Sequence, residues 1–348
     1  MTAKVFDVAA YIWPAYHHEP RAERFWPERD GEWYTVRRGT PCFPGHDMPR
    51  VPLLGCEDEA DPEVMRRHVE LAMTHGVNVF LMDWYWFDNE PCFERQLNEG
   101  LLPALEGTAM KFYLMWANHD ANTLWDMHET ETRRVWSGQV TREQLEPMWD
   151  RVIDRYLGHP NTYTIDGNPV FCIYHLANLI AGLGGVEQTE DALAWMRRRT
   201  VEKGLPGVHL QCIARTGAGG VEGGAVLEGA DFLEVQRRLA FDSFTSYQFV
   251  HDSPGRGDYV AFAERAVSSW DLYDRELGTY YPQVSIGWDN TQRNPLEKDA
   301  VVNATPDACE AYLWRARRWL EARPGRRPLV TINAWNEWSE GSYLLPDM

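Results

Sequence analysis

Two glutamates near the end of the sequence have the spacing of a catalytic pair. Glu337 and Glu340 are three positions apart, and on a strand such side chains would point to opposite faces. The carboxylates can converge only if the chain turns after Trp335, and residues 336–341 include the Asn, Ser and Gly that favour turns. Neighbouring carboxylates can have their pKa values driven apart, so that one is a base while the other keeps a proton to donate. The segment predicts an acid–base pair, with a solvated acidic loop as the alternative.

A second set of candidate residues lies at the carboxyl ends of the predicted strands. Sugar rings stack on aromatic side chains, and sugar hydroxyls bond to carboxylates and amides, so such a set is typical of a carbohydrate site. For any single residue the alternative is structural, because aromatics also plug barrels and polar side chains also cap helices. The predicted substrate-binding residues are Tyr11, Trp13, Asp83, Trp84, Tyr85, Trp116, Asn118, His119, Tyr174, Arg215, Trp288, Asp289, Asn333 and Trp335.

The composition agrees with a carbohydrate-active protein and argues against several other classes. The 348 residues include 16 Trp and 15 Tyr, and 52 Asp+Glu against 34 Lys+Arg give a net charge of −18. So acidic a protein repels phosphate backbones and anionic membranes, and we expect neither nucleic acid nor membrane insertion. No apolar segment of about 20 residues and no signal-peptide pattern occurs. We therefore expect a cytoplasmic protein, or a secreted one if a leader was removed.

Eight apolar, β-rich runs alternate with helices, and these elements would position the candidate residues. Helix starts are recognisable at Asp61-Pro62, at the capping box formed by Thr141 and Gln144, and at Thr305-Pro306. Continuous apolar strands separated by helices favour an α/β protein with a parallel sheet closed into a (β/α)8 TIM barrel, and a doubly wound open sheet is the alternative. The predicted strands are 5–13, 77–87, 111–118, 169–176, 208–215, 232–236, 281–288 and 329–335.

The chain shows no linker, and we expect residues 1–348 to form a single domain. Residues 14–60 are too many for an ordinary connection of about 2–6 residues, so we expect them to form an insertion over the C-terminal face of the barrel, where active sites lie. The Gly-rich loop 217–224 has Glu222 where a dinucleotide motif needs its third glycine. No His spacing typical of a metal site occurs. We therefore expect no cofactor and no required metal.

Nine segments, in order over nearly the whole chain, match a known family. The segment at 333–341 is specific to that family, and the segment that contains Gly-Trp-Asp-Asn is moderately specific. They are Gly31-Glu32-Trp33, Phe43-Pro44-Gly45-His46, Pro52-Leu53-Leu54-Gly55, Asp61-Pro62-Glu63-Val64, Trp84-Tyr85-Trp86-Phe87, Trp116-Ala117-Asn118, Asp166-Gly167-Asn168-Pro169-Val170, Gly287-Trp288-Asp289-Asn290-Thr291 and Asn333-Ala334-Trp335-Asn336-Glu337-Trp338-Ser339-Glu340-Gly341. With these segments the sequence resembles the WbsX-type proteins, which are similar to glycoside hydrolase family 99, the endo-acting α-mannan and α-mannoside hydrolases.

The resemblance implies a (β/α)8 fold and a retaining hydrolase of α-linked glycans. Glu337 would act as the base on the sugar 2-hydroxyl, which attacks C1 to give a 1,2-anhydro sugar, and Glu340 would protonate the leaving oxygen and later activate water. A 2-hydroxyl trans-diaxial to the leaving group, as in α-mannosides, gains the advantage of proximity. After Trp116-Ala117-Asn118 this chain has His119-Asp120 where many relatives have Glu-Asn, a departure that bears on the identity of the sugar.

Two other classes stay open, a non-catalytic carbohydrate-binding barrel and a glycosyltransferase of polysaccharide biosynthesis. A nucleotide-sugar enzyme usually needs a D-x-D motif, and the strand-end loops contain none. Arg215 and Arg293 could pair with Asp or Glu, or bind an anionic group on an acidic sugar. The sequence ends at Met348, just after the catalytic motif, where we expect the helix that closes a barrel.

Overall fold

Eight parallel strands form one barrel in the computed structural model, which describes residues 6–217, 231–253, 257–294 and 296–348. Strands β1 to β6 are hydrogen-bonded in chain order, and β8 lies between β1 and β7. A parallel bridge between Phe244 and Tyr280 links β6 to the residues before β7. The predicted (β/α)8 barrel is therefore confirmed. The strands are β1 (Asp7–Ile12), β2 (Val79–Phe87), β3 (Lys111–Trp116), β4 (Asn168–Ile173), β5 (His209–Ile213), β6 (Ser243–Thr245), β7 (Gln283–Ser285) and β8 (Leu329–Asn333).

Helices cover most of the outer face of the barrel, and the strand residues are largely buried. All nine residues of β2 are buried, which explains why the strands are continuous apolar runs. The longer helices are Pro62–Thr74, Arg142–Val152, Leu176–Leu183, Val186–Glu202, Phe232–Arg238, Tyr259–Val267, Trp270–Leu277 and Pro306–Glu321. Shorter helical segments are Pro20–Ala22, Trp33–Val36, Gln96–Leu101, Leu102–Ala104, Thr123–Trp125, Ile153–Leu157, Phe249–His251 and Trp338–Glu340. Short strands outside the barrel are Glu90–Cys92, Ala121–Asn122, Arg134–Trp136, Thr164–Ile165, Gly257–Asp258, Val301–Val302, Asn336–Glu337 and Ser342–Tyr343.

The three predicted helix starts are confirmed by their caps. The Asp61 side chain accepts a hydrogen bond from the backbone N–H of Glu63 at 2.8 Å. Thr141 and Gln144 form both bonds of the capping box. Thr305 accepts from the N–H of the third helical residue. These side chains satisfy N–H groups that have no partner inside the helix, which is why the sequence signal is reliable there.

The predicted strand at 232–236 is wrong. This segment begins the helix Phe232–Arg238, because the Asp231 side chain accepts from the N–H groups of Leu233 and Glu234. The sixth barrel strand is Ser243–Thr245 instead, and its three residues are too few to give an alternating or continuous apolar pattern. Most of the predicted Gly-rich loop 217–224 lies outside the described residues.

Beside β8 the outer wall has an apolar groove of about 630 Å3 between the helices Pro62–Thr74 and Pro306–Glu321. The described chain after β8 forms a short hairpin and a turn, and the helix that we expected there is not among residues 334–348. Val8, Val330 and Ile332 face the groove from β1 and β8.

Candidate active site

A cavity of about 340 Å3 opens at the carboxyl ends of the barrel strands. Its walls bring together nine of the residues predicted from the sequence, including both glutamates of the pair. Aromatic rings form much of the wall, and Trp13 packs edge-on against Tyr85 with ring centroids 5.5 Å apart. The predicted residues that line the cavity are Trp13, Asp83, Tyr85, His119, Tyr174, Arg215, Trp288, Glu337 and Glu340.

A tight turn after β8 places the two glutamates on the same side of the chain. The turn Trp338–Glu340 ends at Gly341, which has a φ of 60°. The Asn336 side chain holds the start of the turn, because it accepts from the N–H of Trp13 and donates to the carbonyl of Trp13, both at 2.8 Å. The strand end of β1 therefore fixes the position from which Glu337 and Glu340 project.

One buried arginine contacts both carboxylates. Arg293 Nη1 lies 2.6 Å from Glu340 Oε1, and Arg293 Nη2 lies 3.6 Å from Glu337 Oε2. Arg293 also donates to Glu32 through Nε at 2.8 Å and through Nη2 at 3.1 Å. Burial alone would lower the pKa of Arg293, but Glu32, Glu340 and Glu337 outweigh it and hold the pKa well above its ordinary value. The carboxylates of Glu337 and Glu340 thus converge, and the permanently charged guanidinium of Arg293 lies between them.

Glu337 is nearly inaccessible to water, and its environment favours the protonated form. Burial raises its pKa well above the ordinary value, Glu340 adds to this, and Arg293 opposes it. The hydroxyl of Tyr247 lies 3.0 Å from Glu337 Oε1 and 3.2 Å from Asp83 Oδ2. A hydroxyl has one hydrogen, so Tyr247 can donate to only one of the two carboxyls at a time. Burial also raises the pKa of Asp83 well above its ordinary value, and a protonated Asp83 can donate to Tyr247 while Tyr247 donates to Glu337.

His119 lines the cavity in its neutral form. Burial lowers the pKa of His119. Its Nδ1 atom lies 3.0 Å from the backbone carbonyl oxygen of Asp120. Nε2 lies 3.4 Å from the hydroxyl of Tyr85. A neutral imidazole at this position can exchange hydrogen bonds with a sugar hydroxyl without adding charge to the site.

Seven of the predicted substrate-binding residues do not line the cavity, and strand alternation explains three of them. Successive side chains of a strand point to opposite faces. Asp83 and Tyr85 face the cavity, so Trp84 between them faces outward, where it donates to Glu94 at 2.9 Å. Trp116 and Asn118 likewise alternate with the lining residues Met115 and Ala117. The seven residues are Tyr11, Trp84, Trp116, Asn118, Asp289, Asn333 and Trp335.

The other four of these residues have partners within the protein. The Tyr11 hydroxyl donates to the carbonyl of Ser246 at 2.9 Å. The Asn333 side chain accepts from Gln248 at 2.9 Å. Trp335 lines the outer groove, on the far side of the wall from the cavity. The fourth, Asp289, lies 2.7 Å from His46 Nε2 and accepts from the hydroxyl of Thr291.

Several cavity residues are not among those predicted from the sequence, and most of them follow β3, β6 or β7. Residues 246–251 follow β6, which the apolar pattern predicts too early in the chain. The others lie in irregular connections that carry no periodic signal. The additional lining residues are Met115, Ala117, Asn122, Leu124, Trp125, Tyr247, Val250, His251, Asn290 and Glu297. Arg293, already a candidate for binding an anionic group, lines the cavity as well.

Two further properties of the described residues bear on the class of protein. Within the ranges that the structure covers, no group of three or more His, Cys, Asp and Glu side chains is arranged to hold a metal ion. In the same ranges, no helix has both the length and the apolar character needed to cross a membrane.

Comparisons with solved structures agree with the barrel. The structure of the GH99 endo-alpha-mannosidase from Bacteroides thetaiotaomicron superimposes with a TM-score of 0.61 at 15% sequence identity, covering 98% of this chain and 88% of that one. A structure described as a glycoside hydrolase-like protein gives a TM-score of 0.59 at 13% identity, covering 100% of this chain and 89% of that one. At these identities the likeness shows a shared fold.

Sequence comparisons extend over the same length. The family model described as "Glycosyltransferase WbsX" matches residues 8–348. Two curated relatives, each called "Uncharacterized protein WxcX" and each from a strain of Xanthomonas campestris pv. campestris, are 28% identical to the chain over 357 aligned positions. The alignment covers 98% of this chain and 47% of each relative, so the chain spans about half the length of the curated relatives it matches.

Proposed function

This chain belongs to the WbsX family, and on that premise we propose that it is a retaining glycoside hydrolase of α-linked glycans, with Glu337 and Glu340 as its catalytic residues. The observation that carries the proposal is the contact of both carboxylates with one buried guanidinium, that of Arg293. The pair lies in a cavity walled by tryptophan and tyrosine. Such walls suit sugar rings, and paired carboxylates suit proton transfer at a glycosidic bond.

In the first step Glu337 takes the hydrogen of the sugar 2-hydroxyl, whose oxygen attacks C1. The bond from C1 to the leaving oxygen breaks, and that oxygen takes a proton from Glu340. The product of this step is a 1,2-anhydro sugar and the released part of the glycan. Because the nucleophile belongs to the substrate, the reaction gains the advantage of an intramolecular attack.

In the second step Glu340 takes a proton from water, and the water oxygen attacks C1 of the anhydro sugar. The bond from C1 to the 2-oxygen breaks, and that oxygen recovers its hydrogen from Glu337. Each step inverts C1, so the product has the configuration of the substrate. An ordinary retaining enzyme would use a carboxylate nucleophile instead.

The roles require a proton on Glu340 and a negative charge on Glu337, whereas burial raises the pKa of Glu337 and so opposes its ionised form. We propose that the substrate produces the required distribution. A sugar hydroxyl that donates to Glu337 stabilises its ionised form, and a leaving oxygen that accepts from Glu340 stabilises its protonated form. Tyr247 supports the charge on Glu337 by a hydrogen bond at 3.0 Å.

An activity screen with variants tests the proposal. α-Linked mannosides, rhamnosides and acidic bacterial polysaccharides are incubated with wild type, Glu337→Gln and Glu340→Gln, and the anomeric form of the first product is read by NMR. We expect cleavage with retention by the wild type alone. Unimpaired hydrolysis by Glu340→Gln, or inversion of configuration, would refute the proposed mechanism.

A glycosyl fluoride separates the two roles, because fluoride leaves without a proton. On the α-fluoride of a sugar that the wild type cleaves, Glu340→Gln should keep the first step, whereas Glu337→Gln should lose it. The opposite result would exchange the roles of the two glutamates. Matched substitutions make the comparison direct, since both replace a carboxylate by an amide of the same shape.

The description of the family favours glycosyl transfer as a second candidate function. A nucleotide-sugar transferase needs positive charge for the diphosphate. The cavity offers Arg215 and Arg293, and Arg293 is already surrounded by three carboxylates. Addition of nucleoside diphosphates to the protein in a calorimeter tests this candidate, and binding would favour transfer over hydrolysis.

A further inference from the structure

We propose that Arg215 binds a carboxylate group of the substrate, so that the glycan recognised by this cavity contains an acidic sugar of the uronic acid type. The inference rests on the proposed function, since it names the substrate class of the same cavity. Among the residues that the structure describes, two arginines line the cavity, Arg215 and Arg293. They differ in the partners that the protein gives them.

Arg293 is surrounded by carboxylates at ion-pair distance, whereas Arg215 forms no such pair with the described residues and interacts with Asp252 only at longer range. Three carboxylates lie within ion-pair distance of Arg293. Arg215 has no ion pair with a carboxylate of the described residues, and its Nη2 atom is shielded from solvent without a hydrogen-bond partner there. A shielded guanidinium nitrogen without a partner is costly, and polar atoms in that situation commonly bond to a ligand.

The position of Arg215 is fixed by its surroundings. The Gln236 side chain accepts from the backbone N–H of Arg215 at 3.1 Å and donates to its carbonyl at 2.7 Å. The guanidinium lies over the ring of Tyr174, 5.3 Å from its centroid. Nearby Asp252 is engaged elsewhere, because it accepts from the hydroxyls of Tyr273 at 2.5 Å and Ser246 at 3.4 Å. The cation is therefore held in place at the cavity wall, with its Nη2 atom lacking a partner among the described residues.

A second donor or acceptor lies beside Arg215. His251 lines the same cavity, and its Nδ1 atom is buried without a hydrogen-bond partner among the described residues. Burial lowers the pKa of His251 well below its ordinary value, and the charge of Arg215 lowers it further. The neutral imidazole can donate a hydrogen bond to an oxygen that the guanidinium also binds, without adding a second positive charge.

One cation and neutral neighbours match a group with a single negative charge. A carboxylate accepts two parallel bonds from a guanidinium, whereas a doubly charged phosphate usually has more than one cation around it. Apart from the arginines and the histidines His119 and His251, the described lining carries four carboxyl side chains: Asp83, Glu297, Glu337 and Glu340. Among the described lining residues, an anionic sugar group is thus favoured beside Tyr174, whose ring centroid lies 5.1 Å from that of Tyr247.

The test compares two sugars that differ only at C6, methyl α-D-mannopyranosiduronate and methyl α-D-mannopyranoside. NMR titration measures their dissociation constants without turnover. We expect the wild type to bind the uronate at least about tenfold more tightly, since hydrogen bonds to a charged group are worth this much. In Arg215→Met we expect this preference to disappear, because the guanidinium that binds the carboxylate is lost. Arg155→Met, which removes an exposed cation, is the matched control and should keep the preference.

Three results would overturn the inference: equal affinity of the wild type for both sugars, binding of neither, or an undiminished preference in Arg215→Met. Tighter binding of the 6-sulfate of the mannoside than of the uronate would contradict the assignment to a carboxylate. Arg215→Lys keeps the charge without the two-pronged geometry, and we expect it to keep part of the preference. If neutral glycans are cleaved by the wild type but not by Glu340→Gln, the proposed hydrolase function stands even when this inference fails.

Discussion

Replacing Arg293 with methionine tests whether one guanidinium holds the catalytic carboxylates together by charge. The substitution keeps an unbranched side chain but leaves Glu32, Glu337 and Glu340 without their counter-charge. The Arg293 side chain is 9% exposed and that of Glu32 is 0% exposed, so water screens little of the loss. Removing one partner from a buried ion pair costs about 3–5 kcal/mol. We expect the free energy of unfolding of Arg293→Met to fall by about this amount near pH 8.

The deficit should shrink as the pH is lowered. Burial raises the pKa of Glu337, Glu340 raises it further, and Arg293 lowers it, so the pKa rises again when Arg293 is lost. A carboxyl whose pKa is raised on folding stabilises the folded state most below its unfolded pKa of about 4.3. That contribution is lost as the pH rises through the folded value. Arg293→Met should therefore recover part of its stability between about pH 8 and pH 5.

Urea unfolding followed by tryptophan fluorescence measures this deficit, because the chain has 16 Trp. Adding Glu32→Gln to Arg293→Met should restore part of the stability, since it removes one of the repelling charges. Arg142→Met is the control: its partners Glu146 and Asp191 are on the surface, and such pairs contribute at most about 1 kcal/mol. An Arg293→Met protein as stable as the wild type near pH 8, or a deficit independent of pH, would refute the reasoning.

Three other predictions concern the residues around the pair. Tyr247→Phe removes the hydroxyl that donates to Glu337, and we expect kcat to fall about tenfold to hundredfold in steady-state assays, with full activity contradicting a role for this bond. Burial raises the pKa of Glu337, so in the wild type kcat/KM should decline with falling pH at a higher pH than an ordinary glutamate of about 4.3 would give. Gly341→Ala places a Cβ 2.6 Å from the Cβ of Asp289 at a φ of 60°, and its melting temperature should fall more than that of Gly325→Ala, which has a positive φ but open space.

The barrel could be predicted from the sequence because its strands and helix starts are local signals. Seven of the eight strands appear as continuous apolar runs, since both faces of each are covered. The capping residues Asp61, Thr141 and Thr305 mark helix starts by bonds that span two or three residues. The prediction of the sixth strand is wrong because a strand of three residues carries too little pattern. The segment predicted instead begins a helix that is capped by Asp231.

The candidate site could be predicted only in part. The turn at Glu337 and Glu340 follows from residue types within one segment. The residues that contact this turn do not follow from the same segment. Arg293 contacts both glutamates and bonds to Glu32, which is 261 positions away, so these residues meet only in the closed barrel. The strand ends lead to the region of the cavity, but they do not tell which side chains face inward. The inward-facing side chains can be identified only when the register of the strand is known exactly. An error of one residue would place Trp84 instead of Asp83 in the cavity.

The contacts of Asn336 and Arg293 around the glutamate pair also determine at which stage of folding the site forms. Asn336 bonds to Trp13 across 323 positions and to Glu59 across 277. Contacts between such distant residues carry the loop-closure entropy of nearly the whole chain and form late. A nascent chain on the ribosome can build β1 to β6 and their helices, yet it has no pair of anchored carboxylates until residues 336–340 have returned to the first strand. Recovery of activity in refolding should therefore trail the recovery of helix content.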